Sequence, residues 1–135
     1  MQRTTVVIPN FNGIGFIGKC LESLLAQDIP SSEYRIIVVD NGSTDGSRQL
    51  VEEAFPQVSL IALAENTGFC HAVNVGICEA GTPYVILLNN DTKVHPHFVG
   101  ALCDALDARP EAFAVSARMR MWDRPDVMDD AGDRY

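Results

Sequence analysis

Positive charge is scarce in this chain. Ten Lys and Arg stand against eighteen Asp and Glu, a formal net charge of −8. That balance lacks the basic surface a nucleic-acid backbone or an anionic lipid face demands, so neither is an expected partner. Small anionic ligands stay open, because a bound cation or a helix N-terminus can hold them locally. Long hydrophobic runs are missing as well. The most apolar run, residues 84–88, falls far short of the roughly 20 residues a bilayer span needs. Gln2 and Arg3 lead straight into a strand-like run stopped by Pro9, so no secretory leader is expected. None of the four cysteines, Cys20, Cys70, Cys78 and Cys103, forms a CxxC pair. Three of them fall on apolar helix faces, and all four read as buried, reduced thiols of a cytoplasmic protein. His71 adjoins Cys70, but neighbours on a helix diverge in direction, which argues against a zinc site. His95 and His97 flank Pro96 and read as solvated residues at a helix start.

What is present is ordinary globular composition. The 135 residues are 47% hydrophobic and 21% charged, which excludes a disordered chain and fits one domain. Strand-like and helix-like segments alternate. Strands are expected over residues 4–8, 34–39, 58–63, 84–88 and 113–119. The second, with Ile36-Ile37-Val38-Val39, is apolar throughout, as a parallel strand covered on both faces would be. Helix one carries Ile14, Ile17, Leu21, Leu24 and Leu25 on one face. Ser43 or Thr44 is the expected cap of helix two, which carries Leu50, Val51, Ala54 and Phe55. Helix three is expected over about residues 69–80, with Gly81 closing it. Helix four has Pro96 in its first turn and buries Phe98, Val99, Leu102, Ala105 and Leu106. Right-handed crossovers turn this alternation into an α/β fold, an open and mainly parallel sheet with helices on both faces. After Met121 the periodicity stops.

In such a sheet, ligands bind at the carboxyl ends of the strands. Four polar segments gather there: Pro9-Asn10-Phe11-Asn12-Gly13, Asp40-Asn41-Gly42-Ser43-Thr44-Asp45-Gly46, Glu65-Asn66-Thr67-Gly68-Phe69 and Asn89-Asn90-Asp91-Thr92. One such loop is an ordinary turn, but four at one edge suggest a shared site. Gly13, Gly15 and Gly18 spell a literal GxGxxG, with Asp40 following at the end of strand two, which on paper is a dinucleotide-binding fingerprint of an oxidoreductase. Two details oppose it. The first glycine should make the tight turn directly after the strand, yet Pro9-Asn10-Phe11-Asn12 intervenes. An acid that reads a ribose also needs no Ser-Thr-Asp turn behind it.

Taken together and in this order, Val6-Val7-Ile8-Pro9-Asn10-Phe11-Asn12-Gly13, Val38-Val39-Asp40-Asn41-Gly42-Ser43-Thr44-Asp45-Gly46-Ser47, Asn66-Thr67-Gly68-Phe69 with Asn74 and Gly76, and Leu87-Leu88-Asn89-Asn90-Asp91 resemble the N-terminal part of family 2 glycosyltransferases with the GT-A fold. The similarity is greatest to the subgroup of rhamnosyltransferase-like enzymes and covers nearly the whole chain. It implies a donor-binding site for a UDP- or dTDP-sugar. Pro9, Asn10, Phe11, Asn12, Asp40, Asn41, Ser43, Asp45, Asn66, Gly68, Phe69, Asn74, Asn89 and Asn90 would line or hold it. Phe11 would lie against the base, and Asp40 would accept the ring N–H of uracil or thymine. Asp91, in the position of the family's DxD motif, would bind Mg2+ or Mn2+ together with the donor's phosphates. Asn at the motif's first position leaves one carboxylate there, so metal binding without nucleotide should be weak.

The parent reaction implied is metal-dependent transfer of the sugar, with inversion, to a hydroxyl of a sugar or lipid-linked acceptor, as in cell-wall or polysaccharide biosynthesis. It would run in the cytoplasm or at the inner face of the membrane. Residues 1–121 read as the nucleotide-sugar-binding domain and residues 122–135 as the incomplete start of a linker or acceptor region. The family's catalytic base lies further along its chains. The tail acids Asp129 and Asp130 sit too early for it, so no catalytic residue is assigned. A GT-A-like domain that binds without catalysing is the other reading of the same motifs.

Overall fold

Four short parallel strands, each followed by a helix, build the body of the molecule. The computed structural model describes residues 2–120 and 128–130. In chain order the elements are β1 (Thr4–Asn10), α1 (Ile17–Leu25), a single 3-10 turn (Ser31–Glu33), β2 (Tyr34–Asn41), α2 (Ser47–Ala54), β3 (Ser59–Leu63), α3 (Phe69–Ala80), β4 (Tyr84–Leu87), α4 (Phe98–Ala108), β5 (Met119–Arg120) and β6 (Met128–Asp130). The main sheet has the order β3-β2-β1-β4, with every pairing parallel. Between β1 and β4 the order reverses direction, so the ends of β1, β2 and β4 surround a topological switch point.

Alternation along the strands sorts the core into two layers. Val6 and Ile8 of β1 and Ile36 and Val38 of β2 face α1, α2 and α4, where Ile17, Leu21, Leu24, Val51, Val99 and Cys103 close over them. Val7, Ile37 and Val39 point the other way, onto Ala72 of α3. Helix α3 lies flat on the sheet because Gly76 has no side chain. A Cβ there would run into Val7 and come within 3.2 Å of Val39.

Helix α3 spans the expected residues, and Gly81 ends it in the left-handed conformation at φ 64°. Elsewhere the structure departs from the sequence reading. Pro9 does not stop β1, which runs on to Asn10. Strand β4 reaches only to the level of Val7, so at Pro9 the strand has a partner on one side alone and the missing N–H costs no ladder bond. Strand β2 likewise continues through Asp40 and Asn41, both buried. Ile14 is exposed and precedes α1, because Gly13 first makes a turn that accepts hydrogen bonds from Phe16 and Ile17. Neither Ser43 nor Thr44 caps α2. Gly46 occupies the cap in the left-handed conformation, and Asp45 Oδ1 accepts the Ser47 N–H at 2.9 Å.

The fifth strand differs most. Residues 113–118 form no strand, and Phe113 is wholly exposed (102%). The short β5 pairs antiparallel with β6 as a separate two-stranded ribbon, so the alternation there has no sheet face to bury against. Cys20 and Cys103 are buried, but Cys70 and Cys78 are exposed on α3, so only half of the thiols are interior. Burial pushes the Cys20 and Cys103 thiols above their ordinary pKa, which keeps them protonated. His97 pairs with Asp28, and His95 Nδ1 accepts the His97 N–H at 3.1 Å. The expected boundary after residue 121 lies outside the described residues.

Candidate active site

Parallel register makes the first contact of the site. Asn10 is opposite Asp40 at the ends of β1 and β2, so their side chains emerge side by side. Both are 1% exposed. The Asn10 amide donates to Asp40 Oδ1 at 3.0 Å and to Ser47 Oγ at 3.0 Å. Asp40 Oδ2 accepts the Ser43 N–H at 3.0 Å, closing the turn behind β2. Asp40 thus anchors the turn behind β2 and is not among the residues that line the cleft.

The second loop is pinned to the first by three further bonds. Asn12, left-handed at φ 52°, accepts the Thr44 N–H at 2.8 Å and donates its own N–H to Ser43 Oγ at 2.9 Å. Asp45 Oδ2 accepts the Ile14 N–H at 2.9 Å, and its Oδ1 takes the Ser47 hydroxyl at 2.6 Å. Partial burial alone would raise the Asp45 pKa. The hydrogen bonds from Ser47 and Ile14 outweigh it and hold the carboxyl below the usual carboxylate range. Ser43, Asp45 and Asn12 thus hold loop to loop.

The third loop hangs on Asn41. Its Nδ2 donates to Asn66 Oδ1 at 3.1 Å and to the Gly68 carbonyl at 3.2 Å. Its Oδ1 accepts from the Thr67 N–H at 2.9 Å and the Thr67 hydroxyl at 3.0 Å. Gly42 is required there: it is left-handed at φ 82°, and a Cβ would meet the Glu65 backbone at 2.7 Å. The fourth loop joins through Asn90, whose Nδ2 donates to Asn10 Oδ1 at 2.8 Å.

Between these loops lies an open cleft of about 320 Å³, walled by Pro9, Asn10, Phe11, Asn41, Asn66, Phe69, Asn89, Asn90 and Asp91. Every one of these was a candidate from the sequence. Phe11 and Phe69 are 48% and 59% exposed, apolar rings left uncovered at the rim. Among the described residues, Asp91 is the single carboxylate on the wall, beside amides and aromatics. Asn12, Asp40, Ser43, Asp45 and Gly68 are not part of the wall, nor is Asn74, which is exposed along α3. Sequence reasoning missed Gly13 and Ser47. Ser47 had a signal, a hydroxyl two residues after Asp45 at a helix start. Gly13 closed the first strand-end segment and opened the misleading glycine pattern, with no role of its own read for it. A Cβ on it would collide with Asn90 Nδ2 and Asn10 Oδ1, so its role is close packing on that amide pair. Gly15 faces open space, and α1 starts only at Ile17, after an exposed turn, which does not match a dinucleotide-binding helix start.

A family model for glycosyl transferase family 2 matches residues 5–127. The chain is 34% identical over 98 residues to a teichoic acid poly(glycerol phosphate) polymerase of Staphylococcus epidermidis, covering 70% of this chain and 13% of the relative. It is 35% identical over 116 residues to an N-acetylglucosaminyl-diphospho-decaprenol L-rhamnosyltransferase of Mycobacterium tuberculosis, covering 76% of this chain and 38% of the relative. Among solved structures, the mannosyltransferase PcManGT of Pyrobaculum calidifontis in complex with GDP-Man and Mn2+ superposes with a TM-score of 0.78 at 29% identity, covering 87% of this chain and 36% of that one. TarS 1–349 of S. aureus in complex with UDP gives 0.74 at 23% identity, over 87% of this chain and 39% of that one, a likeness of fold. The chain thus spans well under half the length of each of these proteins.

Proposed function

The chain belongs to glycosyl transferase family 2, and from that membership we propose that it is the donor-binding part of an inverting sugar transferase that takes a UDP- or dTDP-sugar. The observation that carries the reading is the convergence of four strand-end loops on one cleft with rings at its rim and a lone carboxylate on its wall. The ring of Phe11 would stack on the base, worth about 1–3 kcal/mol. Asn41, Asn66 and the Gly68 turn would shape the pocket around the nucleoside. Asp40 and Asp45 serve it by holding the loops. The UDP complex of TarS and the GDP-Man complex of PcManGT support a nucleotide donor as the ligand class. The relatives named for teichoic acid and decaprenol-linked substrates support a sugar or lipid-linked acceptor in envelope polysaccharide synthesis, in the cytoplasm or at the membrane's inner face. No described helix is long and apolar enough to cross a membrane.

The donor set at the wall fits a hard cation. Asp91 offers carboxylate oxygen and Asn89 and Asn90 offer amide oxygen, the ligand types of Mg2+ and Mn2+. Among the described residues no three His, Cys, Asp or Glu side chains cluster to hold a metal by themselves. Such a site would hold its cation jointly with the diphosphate. The cation, when bound, offsets charge on the departing nucleoside diphosphate. Deprotonating the acceptor hydroxyl needs a base within hydrogen-bond reach of it. No second carboxylate lines the cleft among the described residues, and we assign that task to a group outside them. Asp129 and Asp130 fall on β6, and their side chains lie outside what is described, as does the proposed acceptor segment over residues 122–127 and 131–135.

Titration calorimetry with UDP and dTDP, with Mg2+ or Mn2+ and again with chelator, tests the reading. Cation-enhanced binding is expected. Absence of binding under every condition would sink the donor role and leave a domain with the fold and no nucleotide chemistry.

A further inference from the structure

The amide orientations at the cleft are dictated by two carboxylates that never reach it. Asp45 takes the single proton of the Ser47 hydroxyl at 2.6 Å, so Ser47 Oγ can only accept from Asn10. Asp40 Oδ1 likewise accepts from Asn10. Both hydrogens of the Asn10 amide nitrogen are therefore committed to the second loop. Its Oδ1 is left facing the fourth loop, where it receives the Asn90 amide nitrogen at 2.8 Å. Asn90 lines the cleft with its nitrogen end held against Asn10, which leaves its carbonyl oxygen as the end without a hydrogen-bond partner among the described residues. Gly13 packs onto this pair so closely that a Cβ would strike both amides, and that contact locks the bridge.

We infer that Asp40 and Asp45, acting through Asn10, position Asn90 with its carbonyl oxygen beside Asp91, and that this orientation sets the cation requirement for binding a nucleoside diphosphate. The inference rests on the donor-binding reading above. An NH2 turned to the cleft would donate to phosphate oxygens directly and hold the anion without metal. A carbonyl oxygen turned there repels phosphate and attracts the positive charge that phosphate brings with it. Asn90 is thus a positioning and selectivity residue that makes nucleotide and cation bind as a unit.

The test compares the UDP dissociation constant in chelator with that in Mn2+, by calorimetry, for the wild type, Asn90→Leu and Gly13→Ala, with melting temperatures alongside. Leu keeps the branching of Asn90 in a bulkier side chain and removes both amide ends, while Gly13→Ala keeps Asn90 and wedges the bridge apart. The expected result is that each variant loses about tenfold of the Mn2+ enhancement (the ratio of the dissociation constant in chelator to that in Mn2+), the size of one charge-assisted contact. Equal losses in chelator and in Mn2+ would reduce the bridge to a structural element and overturn the inference. So would an enhancement unchanged in Asn90→Leu. If the wild type binds UDP with no Mn2+ enhancement, the inference fails while the nucleotide reading stands. If the wild type does not bind UDP at all, both fail.

Discussion

Asn10 and Asp40 are register partners at the ends of adjacent parallel strands, joined by a 3.0 Å hydrogen bond between two side chains that are both buried. A carboxylate in that place is surrounded by donors: the Asn10 amide and the Ser43 N–H. Asp40→Asn puts an NH2 where one of those donors points. A buried donor left without an acceptor costs about 1–3 kcal/mol, so the variant should lose that much stability in urea denaturation. The family resemblance, which has Asp40 accept the ring N–H of the base, implies weakened ligand binding instead. A variant with wild-type stability and weakened UDP binding would return Asp40 to the base-contacting role.

Asp45 gives a pH dependence with a definite sign. Its carboxyl is held below the ordinary range in the folded chain by Ser47 and Ile14, against partial burial that would raise it. A depressed folded pKa means the stabilisation is complete above the unfolded value, about 4, and is lost as the pH falls through the folded value. Denaturation midpoints followed from pH 7 downward should drop below about pH 4. Asp45→Asn should start less stable at pH 7 and show a shallower acid decline. Parallel curves for the two proteins would mean that the Asp45 hydrogen bonds carry no net linkage.

Much of this arrangement was legible in the chain because local chemistry and the global fold agree. The run Ile36-Ile37-Val38-Val39 has no polar face, and it became a central strand buried on both sides. Gly81 was read as a helix stop and adopts the left-handed conformation that stops it. The nine residues of the cleft wall all belonged to the four polar segments after strands. What could not be read was which polar residue faces the cleft and which supports it. Asp40 and Asp91 look alike in sequence. Strand register alone puts Asp40 next to Asn10 and under the second loop, while Asp91 is left on the wall. The segment around Phe113 alternates like a strand, but alternation needs a neighbouring strand to become a ladder, and pairing partners are not written in the local pattern.

Gly76 allows a sharper check of how α3 sits. Its Cα lies against Val7 and Val39, and an added methyl has no space unless the helix lifts. Gly76→Ala should destabilise by about 1–3 kcal/mol through overpacking, in spite of the better helix propensity of Ala. Since α3 begins at Phe69, on the cleft rim, lifting it should also weaken nucleotide binding. Thermal melting checks the first effect and calorimetry the second. A stabilised Gly76→Ala protein would mean that α3 packs less closely than described.

The glycine pattern invites its own experiment. Gly15 has nothing within 4 Å of where a Cβ would stand, and its φ is not in the left-handed range. Gly15→Ala should therefore change stability by less than about 0.5 kcal/mol and leave UDP binding as it was. NAD should bind neither protein, because the residues directly after β1 are Phe11 and Asn12, and α1 begins well past them at Ile17. Micromolar NAD binding lost in Gly15→Ala would bring back the dinucleotide reading.

Phe11 and Phe69 separate affinity from stability. Each ring is about half exposed at the cleft rim, so only part of its area is buried against the fold. Truncating an exposed ring removes few packing contacts, and Phe11→Ala should shift the melting temperature by no more than about 2 °C. The same ring should stack on the donor's base, and its loss should weaken UDP binding by about 1–3 kcal/mol, or tenfold and more. Stacking tolerates any flat aromatic face, so Phe11→Tyr or Phe11→Trp should retain binding where Phe11→Leu does not. The loss should be as large in chelator as in Mn2+, because the base lies away from the cation. That sets it apart from the Asn90 substitution, whose loss should be larger with metal present than in chelator. Equal UDP affinity in wild type and Phe11→Ala would remove the base from this rim and move it to the other side of the cleft, where Phe69→Ala would then show the deficit.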